Sequence, residues 1–298
     1  MSFELQIERS GSYAGLLART LLEQGRYAEA ANAFRLATGD DPYCVEWWLG
    51  LARCMVRQGD RRSAMEALVA ATEVDPELAE AHNELGTLEK HPRLAEESFR
   101  AAVAADPHNP MYRGNLAVSL FRQWRFDEAE ANWRRAIRQA PGDLSYAVDL
   151  GHMLMELGRY SGAKAVFRRA VRAIKHDAIL VGRAWLHYEA QRFDEAEQAL
   201  SGRQRGPCDE DLAWAYQGFG LALRKLGDNR PAIIAFRAAI SLLPELAVFH
   251  RNLGDTLSTV NRSRQARAAF ERARQLGNRF ITCNRDGWLI ALRQPDIA

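Results

Sequence analysis

The residues of this chain that could do chemistry are scattered. Its seven histidines, His82, His91, His108, His152, His176, His187 and His250, include no close pair that would put two imidazoles on one helix face for a metal. The four cysteines, Cys44, Cys54, Cys208 and Cys283, form no CxxC pair and no metal-site spacing. Glu128 with Glu130, and the run Asp209-Glu210-Asp211, read as helix-start or solvated charges. No dinucleotide glycine fingerprint, P-loop, GxSxG or HExxH occurs. The expectation is a protein that is not an enzyme, with no catalytic residues, no metal and no cofactor.

The chemistry that remains is ionic. Of 40 basic residues only Lys90, Lys164, Lys175 and Lys225 are lysines. Arginine's planar fork suits carboxylates, although base composition of the coding sequence would also explain the bias. The net charge of +2 is too small to argue for nucleic acid by itself, and pairs such as Arg61-Arg62, Arg134-Arg135 and Arg168-Arg169, balanced by 38 acids, read as a solvated face rather than a phosphate track. Few cysteines without a framework fit a reducing compartment. The stretch MSFELQIERS lacks a basic and then an apolar region, and no apolar run approaches the ~20 residues needed to span a bilayer. A cytoplasmic protein without direct membrane insertion is expected.

What positions these arginines is a repeat. A small residue, a large apolar one, another small one and a proline recur as Ala30, Phe34, Ala37, Pro42 and as Ala64, Leu68, Ala71, Pro76. The pattern returns at Ala95, Phe99, Ala102, Pro107, at Ala129, Trp133, Ala136, Pro141, and at Ala232, Phe236, Ala239, Pro244. Ala163, Phe167, Ala170 and Ala266, Phe270, Ala273 lack only the proline. Upstream, pairs such as Leu51-Ala52, Leu85-Gly86, Leu116-Ala117, Leu150-Gly151, Phe219-Gly220 and Leu253-Gly254 set a large residue beside a small one. Gly25, Gly59, Gly158 and Gly227 then mark a turn. The step from Pro42 to Pro76 and from Pro107 to Pro141 is 34 residues, the period of a helix–turn–helix repeat. Small residues let two helices approach, and the large one fills the gap.

These residues, with AEAHNELG at 79–86 and the phrase RFDEAE at 125–130 and 192–197, resemble the tetratricopeptide repeat family over roughly 11–280. The resemblance implies an all-α, right-handed superhelical α-solenoid of about eight helix pairs. Its expected divisions are an N-terminal arm (1–12), about six repeats with the sixth degenerate (13–200), a loop or seam (201–211), two further repeats (212–280), and a capping helix and tail (281–298).

The pattern breaks in four places. Residues 3–8, FELQIE, alternate as a strand would, and are read as disordered, as a helix start or as a pairing arm. The third unit is shortened to 31 residues between Pro76 and Pro107, which predicts a tighter turn at 88–92. Trp124 stands where a turn glycine belongs, either packed down on the adjacent helix or exposed to a partner. Gly202, Gly206 and Pro207 interrupt the sixth unit.

In the family the first helix of each unit lines a concave surface. Carried over to this sequence, that face holds Arg19, Arg53, Arg57, Asn83, Thr87, Arg122, His152, Trp185, Tyr188, Arg224, Arg251, Asn252 and Asp255. It reads as basic and hydrogen-bonding, and suits a protein or peptide partner with an acidic segment. Some members clamp the C-terminal carboxylates of heat-shock chaperones with Lys and Asn on one first helix, Asn on the next, and Lys and Arg on the third. No three consecutive units supply that set, and Asn115 and Asn252 match isolated positions only. The expected role is a non-catalytic adaptor or scaffold. The alternatives are a self-assembling structural protein, hence a homo-oligomer, and an accessory subunit of an enzyme or secretion complex.

Overall fold

The computed structural model describes residues 4–173, 195 and 210–277, and every regular element among them is helical. They form fourteen α-helices in alternating first and second positions. The first helices are α1 (Glu4–Glu23), α3 (Val45–Gln58), α5 (Ala79–Leu88), α7 (Pro110–Arg122), α9 (Ser145–Glu156), α11 (Glu210–Lys225) and α13 (Ala247–Thr259). The second helices are α2 (Tyr27–Asp40), α4 (Arg61–Val74), α6 (Pro92–Ala105), α8 (Phe126–Gln139), α10 (Tyr160–Ala173), α12 (Asn229–Leu242) and α14 (Ser263–Leu276). This is the all-α class of stacked helical repeats.

The small-residue columns form the core. Ala30, Phe34, Ala37, Ala64, Leu68, Ala71, Ala129, Trp133 and Ala136 have no exposed surface. A Cβ built on Gly86 would overlap the ring of Phe99, one on Gly220 the ring of Phe236, and one on Gly50 the ring of Phe34. Each aromatic ring therefore lies in the volume that a side chain on its partner helix would need.

The turns divide by chemistry. Gly25, Gly59, Gly158 and Gly227 adopt φ between 70 and 84°, as the turn reading requires. Trp124 (φ 62°) and Asn261 (φ 60°) hold the equivalent position without being glycine. The shortened third unit has no such residue. There α5 ends at Leu88, and Pro92 opens α6, where its missing N–H is no loss. The strand-like alternation gives helix over 4–8, since α1 runs from Glu4 on through the rest of the stretch expected as an arm. Period two cannot make a strand without a second strand to pair with, and local helix wins.

The chain forms two compact units, residues 1–140 and 141–298. In the first, α1 to α8 pack in order, each on its neighbour. In the second, α10 packs directly on α11 although residues 174–209 separate them in sequence. A Cβ on Gly218 of α11 would overlap the Phe167 ring, as one on Gly50 would overlap Phe34. Lys164 Nζ reaches Asp228 Oδ2 at 2.7 Å across the same joint. The expected loop gives way to helix at Glu210, while its residues 201–209 and the capping segment at 281–298 lie outside the described residues.

Candidate functional site

Along the first unit, the first-helix face is a ladder of charges. Arg53 on α3 pairs with Glu80 of α5, and its Nε lies 3.8 Å from Glu84 Oε1. Burial raises the Glu84 pKa, and Arg53 opposes that shift. One repeat earlier, Arg19 faces Glu46. The Glu46 pKa is lowered first by the hydrogen bond from Cys44 and in smaller part by Arg19. Both pairs span 27 residues, so each joins one first helix to the next. The expectation of a basic face with few acids is corrected here. Glu46, Glu80 and Glu84 lie beside the arginines and neutralise part of their charge, and a count of arginines alone overlooks them.

The other expected residues of this unit differ in exposure and bonding. Asn83 is 7% exposed and accepts a hydrogen bond from Asn115 Nδ2 at 2.7 Å, tying α5 to α7. Thr87 is exposed, with its hydroxyl donating back to the Glu84 carbonyl at 2.8 Å. Arg57 and Arg122 are exposed at the last turns of α3 and α7, and neither makes an ion pair among the described residues.

In the second unit His152 packs edge-on against Phe167 with centroids 5.8 Å apart. Its Nε2 is buried without a hydrogen-bond partner among the described residues, and burial lowers the pKa to about 4. The ring is neutral at physiological pH, and the residue as a whole is half-buried on α9. Arg224 Nη1 meets Asp255 Oδ2 at 3.3 Å and again pairs two first helices. Arg251 is exposed and Asn252 half-buried. Trp185 and Tyr188 lie outside the described residues.

The α7–α8 turn is the most elaborate local structure. Trp124 N–H donates to Phe121 O at 2.9 Å and Arg125 N–H to Leu120 O at 3.1 Å, the same closure that Gly59 and Asp60 make at the α3–α4 turn. A left-handed conformation costs a non-glycine residue roughly 1–2 kcal/mol. The neighbours on both sides hold it in place. Gln123 Nε2 donates to Glu96 at 2.8 Å, and Arg125 Nη1 reaches both Glu96 oxygens at 2.6 and 2.7 Å. Arg125 also forks onto Glu128 at 2.7 Å, and Arg100 Nε reaches Glu96 at 2.8 Å. Burial pushes the Glu96 pKa up, but these hydrogen bonds outweigh it and leave it lowered. The carboxylate is therefore a charged anchor, 8% exposed. Trp124 itself is 80% exposed and touches Phe126 edge-on at 5.8 Å. The reading of an indole packed down on the neighbouring helix is overturned.

Neither of the two described cysteines is activated as a nucleophile. Burial and then Glu46 push the Cys44 thiol up to about 11, and burial raises Cys54, so both stay protonated at neutral pH. Among the described residues no group of three or more His, Cys, Asp or Glu could hold a metal ion. None of the described helices is long and apolar enough to cross a membrane. The second-helix arginines Arg62 and Arg134 pair one turn along with Glu66 and Glu130, as a solvated face would.

Comparisons with known proteins agree with this architecture. The type IV pilus assembly protein PilF of Pseudomonas aeruginosa is 35% identical over 77 residues, which is 25% of this chain and 31% of that protein. The chain thus spans about a third of the curated relative it matches. Among solved structures, PilW, titled a widely conserved type IV pilus biogenesis factor, superposes with a TM-score of 0.54 at 18% identity over 83% of this chain and 98% of that one. MamA superposes with a TM-score of 0.53 at 20% identity over 56% and 92%. These likenesses show the fold. Family profiles described as tetratricopeptide repeat match residues 21–85, 89–144, 148–206 and 215–245. With the helix pairs, the small-residue seams and the turn glycines already in place, those matches establish that the chain belongs to the tetratricopeptide repeat family.

Proposed function

We propose that the chain is a non-catalytic, cytoplasmic adaptor that holds a protein or peptide segment against its first-helix faces. The observation that carries this reading is the pair of exposed arginines there without an ion pair among the described residues, Arg57 and Arg122, both in the first unit. An acidic segment meets Arg57 directly and takes over Arg53 by displacing Glu80, an exchange of one half-exposed ion pair for another. Affinity then depends on pairing at several points along the face. The name of the relative PilF makes an accessory role within a multiprotein assembly the first variant to test.

Cross-linking in native lysate followed by mass spectrometry identifies the partner and the contacted face. With that partner in hand, Arg53→Glu/Arg57→Glu should weaken capture at least ~10-fold, about 1.4 kcal/mol, and rising salt should weaken it further. Affinity indifferent to both changes would remove the acidic-segment reading, and cross-links confined to the second helices would remove the first-helix face. Self-assembly is the second reading, favoured by Tyr13, Leu16 and Leu17 exposed together on α1. Light scattering that gives one monomer mass across a concentration series would exclude it.

A further inference from the structure

We propose that the edge formed by the α5–α6 and α7–α8 turns is a docking surface for a partner segment that sets an aromatic or aliphatic side chain among carboxylates. The proposal rests on the adaptor reading and gives it a place and a ligand chemistry. The two turns are tied together. Ser119 Oγ donates to the Pro92 carbonyl at 2.8 Å, and Gln123 Nε2 donates to it at 3.2 Å. These bonds hold the α5–α6 turn, which Arg93 and Leu94 follow directly, against the end of α7, where Arg122 and then Trp124 lie.

The apolar half of the surface is Trp124 at 80% exposure with Leu94 at 49%. Glycine would satisfy the positive φ at position 124 without strain, yet the largest apolar side chain is held there, clamped on both sides to buried Glu96. A strained residue fixed by a rigid charged network, with its ring in water, is built for contact rather than for packing. The polar half is cationic. Lys90, Arg93 and Arg122 are exposed and make no ion pair among the described residues; of the exposed acids there, Glu128 and Asp127 are already engaged and Glu97 is the third. The nearby Arg100 and Arg125 are occupied by Glu96 and Glu128. Unpaired cations around an apolar anchor call for a ligand with carboxylates around an apolar side chain. A nucleic acid would leave Leu94 unmatched and would have only three cations to meet its phosphates.

Fluorescence anisotropy on the full chain tests this with a short fluorescein-labelled peptide carrying Phe and Leu among glutamates. Its Glu→Gln and Phe/Leu→Ala counterparts and labelled oligothymidine serve as comparisons. The acidic, apolar peptide should bind best. Trp124→Gly and Arg93→Glu/Arg122→Glu should each weaken it at least ~10-fold, while Arg264→Glu on the exposed side of α14 leaves it unchanged. Trp124→Asn repeats the test with a residue that already holds this turn position at Asn261. Circular dichroism melts confirm that each variant is folded. Equal binding by the Trp124 variants, preference for oligothymidine, or no measurable binding of the peptide overturns the proposal. If that happens while a native partner still cross-links to α3 or α5, the docking edge fails and the adaptor reading stands. If no partner cross-links at all, the adaptor reading is what fails.

Discussion

The ring of Phe167 on α10 fills the space where a side chain on Gly218 of α11 would lie, and it does the same for Gly151 on α9. Phe34 occupies the corresponding space over Gly50 in the first unit. The α10–α11 joint is therefore an ordinary repeat joint, closed across residues 174–209.

That closure predicts that residues 174–205 can be removed. In five units the closing proline follows the large apolar residue by eight positions, as in Phe34 and Pro42 or Phe236 and Pro244. Joining Ala173 to Gly206 places Pro207 eight positions after Phe167. The deletion should retain a cooperative melt and the helical signal per residue of the full chain. A molten or aggregated product would mean that the intervening residues are needed to form the joint.

Overpacking the seams should be costly in both units. Gly151→Leu drives a side chain into Phe167, and Ala129→Leu adds volume where no surface is exposed. Each should lose roughly 1–3 kcal/mol in urea unfolding. Unchanged midpoints for both would contradict the packing scheme.

The Arg53–Glu80 pair should contribute little to stability. Both side chains are nearly half exposed, at 49% and 44%, so a double-mutant cycle should give a coupling of about 0.2–1 kcal/mol. Arg53→Ala should also raise the Glu84 pKa further, because burial already raises it and Arg53 now opposes that shift. An NMR titration of Glu84 that shows no change would place Arg53 elsewhere in solution.

Acid should weaken the second unit through His152. Its folded pKa of about 4 lies below the ordinary 6.5, so between those values the unfolded chain takes up a proton that the folded chain refuses. Stability is complete above pH 6.5 and falls as the pH drops toward 4, by about 2 kcal/mol between pH 7 and 5. His152→Leu should flatten that slope in urea melts at the two pH values. An unaltered slope would show that the ring is solvated.

The helix pairs, their turns and their seams were readable in the sequence because Ala129, Trp133 and Ala136 obey a local period that packing enforces. The α10–α11 joint was not, since it pairs Phe167 with a residue a whole repeat beyond the expected one. The arginines of the first helices are visible in the sequence, but acidic neighbours such as Glu80 and Glu84 come from other helices and escape a face-by-face reading. His152 sets its ring edge-on against Phe167, a contact that no local pattern on α9 announces. Trp124 was visible as an anomaly; its exposure depends on Glu96, 28 residues earlier.

Seams made of alanine, glycine and phenylalanine are nearly interchangeable, so by themselves they would let units stack in the wrong order. The polar bridges differ from joint to joint: Arg53 to Glu80 and Glu84 in one, Asn115 to Asn83 in the next, Lys164 to Asp228 in the second unit. A unit inserted out of turn would leave Asn83 buried without a partner, or Arg53 facing a residue other than its acid. These bridges act as address labels for assembly: each adds little to the final stability, yet together they make one sequence of neighbours cheaper than its permutations.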